Sequence, residues 1–201
     1  MKNSNYRPIR IGNSLSLFCT WTFLLLGISC ALGETQNYAI DPAHSSVEFR
    51  IRHFFTNVAG RFDQFAGTIQ FDDKTPEKSQ IQATIDTSSI NTNQSDRDKH
   101  LRTADYFDVE KFPKMIFESK SWKKLSDANY EVTGDLTLHG VTKVVILSVK
   151  SLGFGPGVKG VQISGWAAAG KIKCSDFRMT AGAPAVGDEV SIEINVEAKK
   201  L

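Results

Sequence analysis

From residue 46 onward the chain reads, in segment after segment, as apolar and polar residues taking turns. Val47, Phe49, Ile51 and His53 interleave with Ser46, Glu48, Arg50 and Arg52. Phe65, Gly67, Ile69 and Phe71 do the same, as do Ile81, Ala83 and Ile85, then Val132, Gly134, Leu136 and Leu138. Near the end Val190, Ile192, Ile194, Val196 and Ala198 repeat the pattern. Successive side chains leave opposite faces of a pleated strand, so period two predicts strands with one dry and one wet face. Such strands belong to antiparallel sheets. Further strands are expected at 115–121, 143–151 and 161–173, with a short one at 38–41. Turn residues separate several of them, as in Asp72-Asp73-Lys74-Thr75-Pro76 and Gly153-Phe154-Gly155-Pro156-Gly157. The expected total is eight or nine strands in an all-β domain.

One stretch breaks the alternation. In Ser95-Asp96-Arg97-Asp98-Lys99-His100-Leu101-Arg102-Thr103-Ala104-Asp105, apolar Leu101 and Ala104 stand three apart. This spacing predicts a short helix from about 97 to 105, capped by Ser95 or Asp96 and laid over the sheet or across one end. Pro113 then marks the start of the next strand. Closing the sheet into an up-and-down barrel removes its exposed edges. A β-sandwich is the alternative on pattern alone.

The first 33 residues read differently. Lys2, Arg7 and Arg10 precede an uncharged apolar run from Leu15 to Leu32, and Ala31-Leu32-Gly33 offers small residues where a signal peptidase reads them. Residues 1–33 are therefore expected to be a secretory signal, cleaved after Gly33 or after Ala31. A retained anchor is the competing reading, but polar residues interrupt the run and leave it marginal for spanning a bilayer. Lipidation at Cys30 is disfavoured, because Gly27 rather than Leu stands three residues before it. Of the 24 Lys and Arg and 22 Asp and Glu, the signal takes three bases and no acid, leaving 21 against 22 in residues 34–201. A net charge of −1 does not suit nucleic-acid binding. Cys19 and Cys30 leave with the signal, so Cys174 has no intrachain disulfide partner. No linker divides residues 34–201, which are read as one domain.

The expected dry faces mix large and small residues. Phe49, Ile51, Phe65, Ile69, Phe71, Ile85 and Phe117 are large; Gly67, Ala83, Gly134, Gly165, Ala167 and Ala169 are small. An eight-stranded barrel is just wide enough to be filled by its own side chains or to hold one small ligand. Small inward residues favour a cavity, while Gly and Ala set opposite Phe rings equally suit a filled, tapering core. A cavity with this lining suits a long apolar chain, since each buried methylene is worth about 0.8 kcal/mol.

The sequence resembles the YceI-like family of bacterial periplasmic lipid- or polyisoprenoid-binding proteins. The resemblance runs from residue 38 to 198 and is carried by Tyr38-Ala-Ile-Asp-Pro-Ala-His-Ser-Ser-Val-Glu-Phe49, Gly60-Arg61-Phe62, Phe65-Ala-Gly67, Arg97-Asp-Lys-His-Leu-Arg-Thr-Ala-Asp-Tyr-Phe-Asp-Val109, Phe112-Pro-Lys-Met-Ile-Phe117 and Gly134-Asp-Leu-Thr-Leu-His-Gly-Val-Thr142. It implies an extended, lipocalin-like, eight-stranded antiparallel barrel with a short helical cap. The implied function is periplasmic binding, transport or sequestration of a polyisoprenoid, quinone-like or other amphiphilic lipid, without cofactor or catalysis. One departure stands out. Where the family usually shows Asn-Arg-Ser-Asp-Phe-Gly, this chain has Lys173-Cys174-Ser175-Asp176-Phe177-Arg178. Lys173 or Arg178 is the expected stand-in for the missing arginine.

Dry faces and resemblance together give a ligand-binding set. Phe49, Ile51, Phe65, Ile69, Ile85, Leu101, Phe117, Leu136 and Ala167 are assigned to the tail, His53, Arg61 and Arg97 to the head group, and His100 to closing the cavity mouth, with holding the helix to the barrel by hydrogen bonds as its alternative. Arg61 and Arg97 suit an anion, because guanidinium gives paired contacts to phosphate or carboxylate. An ion pair of Arg97 with Asp98 or Asp105 explains that residue equally well. Asp41, His44 and Ser45 are expected to order the first turn, and His139 another turn beside Gly140. Trp122 and Trp166 either border the mouth or pack. The alternative function is an exported enzyme acting on an apolar or isoprenoid substrate, with a metal held by converging histidines. No His-Glu-x-x-His, Cys-x-x-Cys or Gly-x-Ser-x-Gly motif supports it. A homodimer of barrels is compatible with the pattern.

Overall fold

The computed structural model describes the chain from residue 35 to residue 201; residues 2–34, and with them the expected signal segment, lie outside the described residues. The described chain forms eleven strands and one α-helix. The strands are β1 (Gln36–Ile40), β2 (Ser46–His53), β3 (Thr56–Phe62), β4 (Phe65–Phe71), β5 (Gln80–Asp86), β6 (Ile90–Asn91), β7 (Lys114–Lys124), β8 (Asn129–Leu138), β9 (Val141–Pro156), β10 (Gln162–Lys173) and β11 (Val186–Lys200). The helix, α1, is Ser95–Leu101.

All pairings are antiparallel, and they close into a barrel. β1 and β2 both pair with β11, one after the other, so they form a single bent stave. β3 and β4 form a second bent stave, because β3 pairs with β2 and β4 with β1. β5 and β6 form a third, through β4 and β3. β7 to β11 complete eight staves in up-and-down order. The β-sandwich alternative is thereby excluded.

An aspartate marks each of the three bends. Asp41 accepts from the Ala43 amide, opening a 3-10 turn at Pro42–His44, and also binds His44 and Lys199. Asp63 accepts from Arg61 and Asn91 between β3 and β4. Asp86 accepts from the Ser88 amide and hydroxyl and from Lys114 between β5 and β6. Short polar side chains that capture nearby donors are what lets a strand turn aside without orphaning its backbone.

Two strands escaped the alternation argument. β6 is only two residues long. β3 follows a two-residue turn made of Phe54 and Phe55. Phe54 has φ +48°, where hairpin turns of this length usually carry glycine, so no turn signal announced it. The helix is shorter than expected and is capped by Gln94, whose side chain accepts from the Arg97 amide, rather than by Ser95 or Asp96. Residues 102–112 continue as turns. The hairpin at His139-Gly140 fits its reading, with both residues at positive φ joining β8 to β9.

β10 has the opposite phase to the one its small residues lead one to expect. Trp166 is buried and Ala168 faces the interior, whereas Ala167 and Ala169 lie on the outer wall. A register shift between Gly165 and Trp166 accompanies this phase. Gly and Ala differ too little in hydropathy to declare a face, so the inward phase is carried by Trp166 and Ile172 alone.

Candidate ligand-binding cavity

The two ends of the barrel are built differently. At the end where β1 begins, six aromatic rings close the interior. Phe71 lies 4.9 Å from Trp166, 5.8 Å from Tyr130 and 5.4 Å from Phe154, ring centre to ring centre. Trp122 and Tyr38 complete the plug. Both tryptophans therefore pack, and neither borders a mouth. Trp166 donates its indole N–H to Ser164 Oγ at 3.0 Å. Among the described residues nothing accepts from Trp122 Nε1.

Beyond the plug lies a cavity of about 560 Å³, within the range of roughly 300–1,000 Å³ usual for small-molecule sites. Its walls are almost wholly apolar, from Ile40, Ile69 and Val149 near the plug to Val58, Phe62 and Met179 near the other end. Both readings of the small residues have a place in it. Ala83 and Ala168 leave room along the wall. Gly134 instead makes space for the Phe117 ring, which a Cβ there would strike.

Polar groups gather at the far end, beneath α1 and the 174–185 loop. Thr92, Arg97, His100 and Tyr106 come from the cap, His53 from β2, and Ser175, Thr180 and Asp188 from the loop and β11. The cap is fastened to the barrel by Arg102, whose guanidinium donates to the carbonyls of Ser88 and Ile90 at 2.7 and 2.8 Å. Phe107 packs its edge on Phe62.

Arg97 is held in place by neutral oxygens. Its Nε donates to Thr92 Oγ1 at 2.7 Å and its Nη2 to the Thr92 carbonyl at 2.8 Å. Buried Asp98 takes the Thr92 hydroxyl and amide instead, at 2.5 and 2.8 Å. The expected ion pair with Asp98 or Asp105 is absent: among the described residues no carboxylate lies within 4.0 Å of Arg97. The cavity thus holds a fixed cation with donors to spare.

Eleven of the thirteen expected ligand residues line this space: Phe49, Ile51, His53, Phe65, Ile69, Ile85, Arg97, His100, Leu101, Phe117 and Leu136. Ala167 does not, because β10 turns it outward. Arg61 does not either; its guanidinium lies on Asp63, half exposed, at the bend between β3 and β4. Lys173 and Arg178 are also exposed and off the lining, so neither stands in for the missing arginine. Arg178 occupies the left-handed region at φ +61°, where the family pattern has glycine. Cys174 does line the cavity, and burial pushes its thiol up to about 11. Asp188, tied to the Ser175 amide and hydroxyl, is held below the usual carboxylate range.

The histidines are not brought together. His44 sits on Asp41 at the first bend, His53 against the Phe54 ring, His100 against Tyr106, and His139 on the Phe177 carbonyl. Cavity residues missed by the sequence reading fall into three groups. Val58 and Phe62 lie on the unannounced β3. Trp166 and Ala168 lie on the face of β10 opposite to the expected one. Cys174, Met179 and Val186 come from an irregular loop and its exit, where no periodicity exists to read.

Comparison with known proteins agrees with this architecture. Residues 38–198 match the YceI-like domain. Protein YceI of Salmonella agona (strain SL483) is 41% identical over 180 residues, covering 88% of this chain and 94% of that protein. The crystal structure of Burkholderia cenocepacia BcnA superposes with a TM-score of 0.73 at 25% identity, over 79% of this chain and 98% of that one. A polyisoprenoid binding domain from Saccharophagus degradans shares the fold at 17% identity, with a TM-score of 0.59 over 82% of this chain and 98% of that one. The chain belongs to the YceI-like family.

Proposed function

We propose that this periplasmic barrel binds one amphiphilic lipid, with its apolar tail in the cavity and its polar head beneath the cap. The observation that carries this reading is an apolar chamber, plugged by aromatic rings at one end, with a guanidinium at the other that has no carboxylate partner among the described residues. Burying about ten methylenes contributes roughly 8 kcal/mol before ordering costs, enough for useful affinity. Arg97, with His100 and His53 nearby, favours a head group rich in acceptors, such as a phosphate or a quinone oxygen. The domain from Saccharophagus degradans that shares the fold is described as polyisoprenoid binding, which supports an isoprenoid tail here. The role of such a barrel is to carry or sequester the lipid through an aqueous compartment.

Native mass spectrometry of the protein purified from the periplasmic fraction, followed by lipid extraction, tests this. One lipid per chain is the expected result, with Arg97→Met weakening retention about tenfold while the apolar walls stay intact. A protein that neither carries nor takes up any amphiphile would overturn the proposal.

A further inference from the structure

The rim of the mouth holds a feature that amphiphile binding alone does not explain. The turn between β2 and β3 places Phe54 and Phe55 at the tip, 55% exposed and fully exposed respectively. A polar tip would be more soluble and a glycine at position 54 less strained, yet the chain keeps two aromatic rings there. The tip is also held firmly. The Phe54 amide donates to the Ala185 carbonyl at 2.8 Å, and Arg52 Nη1 donates to the Phe54 carbonyl at 2.9 Å. The Phe54 ring meets His53, itself part of the cavity wall. Phe55 therefore projects from a braced support directly beside the opening.

We infer that this hairpin tip docks the mouth of the barrel onto an anionic lipid bilayer, so that the amphiphile passes between membrane and cavity without crossing water. The inference rests on the amphiphile-binding reading above. Size argues for a bilayer over a protein partner. Two Phe rings offer about 300–500 Å², well short of the roughly 800 Å² per partner that a stable protein interface buries. Aromatic rings at the headgroup level of a bilayer act singly or in pairs. Charge argues for anionic lipid. Arg50 and Arg52 are exposed on β2 immediately behind the tip, and among the described residues neither is ion-paired. Arg52, whose guanidinium rests on the Phe54 carbonyl, stands at phosphate depth when Phe55 enters the interface, and Arg50 lies two residues, about 7 Å, further from the bilayer. The opposite end also exposes apolar residues, among them Leu152, Val158 and Leu125. There the aromatic plug leaves no path to the cavity.

Co-sedimentation with vesicles of equal parts phosphatidylethanolamine and phosphatidylglycerol tests this on the protein purified from the periplasmic fraction. The expected result is binding to these vesicles, weakened about tenfold by Phe55→Ser and kept by Phe55→Trp. Phe54→Gly, which relieves the turn, should lower vesicle binding without lowering the unfolding temperature. Arg50→Gln should reduce the preference over pure phosphatidylcholine vesicles. Uptake of a short-chain isoprenoid phosphate, measured by native mass spectrometry without vesicles, should be unchanged in the Phe55 variants. Equal vesicle binding by wild type and Phe55→Ser would overturn the inference. So would loss on Val158→Ser instead, or capture by a second copy of the chain in place of vesicles. Failure of isoprenoid uptake by the wild type, with Phe55-dependent vesicle binding intact, would overturn the amphiphile reading and leave the docking surface standing.

Discussion

The two ends of this barrel solve opposite problems. The plugged end is a packed core: Tyr38, Phe71, Trp122, Tyr130 and Trp166 are all nearly excluded from solvent, and their rings meet edge to face or tilted. The mouth end is polar and strained. Five of the six non-glycine residues at positive φ (Phe54, Asn93, Asp108, His139 and Arg178) belong to it. Tight packing at one end supplies stability, which the other end can forgo in order to stay open. Strained backbone persists where the surrounding structure holds it, and it gathers at ligand sites.

Substitution in the plug offers the sharpest way to break this contrast. Trp166→Ala should cost about 3–5 kcal/mol in urea unfolding, because the close-packed rings around it cannot collapse into the void. Ile51→Ala on the cavity wall should stay near about 2 kcal/mol, the low end for such truncations, since one face already borders empty space. Equal losses at both positions would mean that the cavity is collapsed in solution.

Cys174 gauges the other end. With its thiol raised from 9.0 to about 11, the thiolate at pH 8 is about a hundredfold scarcer than for an unperturbed thiol. Alkylation by iodoacetamide should slow by about that factor. A bound amphiphile should slow it further. Alkylation at the rate of a free thiol would place Cys174 in open water and contradict the packing of the mouth.

Three substitutions separate the ends by sign. Trp122→Phe removes an indole donor that has no acceptor among the described residues, so its stability should stay within about 1 kcal/mol of wild type, whereas Trp166→Phe strips Ser164 of its partner and should cost about 1–2 kcal/mol. Arg178→Gly at the mouth should stabilise by about 0.5–1 kcal/mol. Relief of the left-handed conformation there outweighs the added freedom of the unfolded chain. Thermal unfolding of the three variants checks both.

Acid provides the mildest test. Asp41, held down first by Lys199 and then by His44, Asp63 by Asn91 and Arg61, and Asp86 by Ser88 and Lys114, all lie below the usual carboxylate range. A depressed folded pKa stabilises above the unfolded value of about 4 and loses that contribution as pH falls through the folded value. Hydrogen exchange should therefore show the bends in the first three staves opening below about pH 4. The near-ultraviolet signal of the plug tryptophans should persist. Simultaneous loss of both would show one cooperative unit with no difference between the ends.

Much of this molecule was legible in its residues. Alternation in β2, β4, β5, β8 and β11 named the strands and their inner faces, because Phe, Ile, Val and Leu contrast strongly with Glu, Thr, Gln and Lys. The family motifs supported an up-and-down barrel, and eleven cavity residues followed from it. Where contrast was weak, the reading slipped. Gly165, Ala167 and Ala169 looked inward only because they are small. Arg61 looked like an anion site only because it is an arginine; Asp63, two residues on, had a prior claim.

Local pattern thus determined which segments are strands, and where hydropathy contrast was strong it also determined which side of each is dry. Tertiary structure alone decided that three staves bend, that six rings from six of the eight staves meet in one plug, and that Arg97 faces the cavity with no carboxylate counter-ion among the described residues. These depend on which distant residues the closed sheet brings within a few ångströms, and periodicity along one strand carries no information about partners on another.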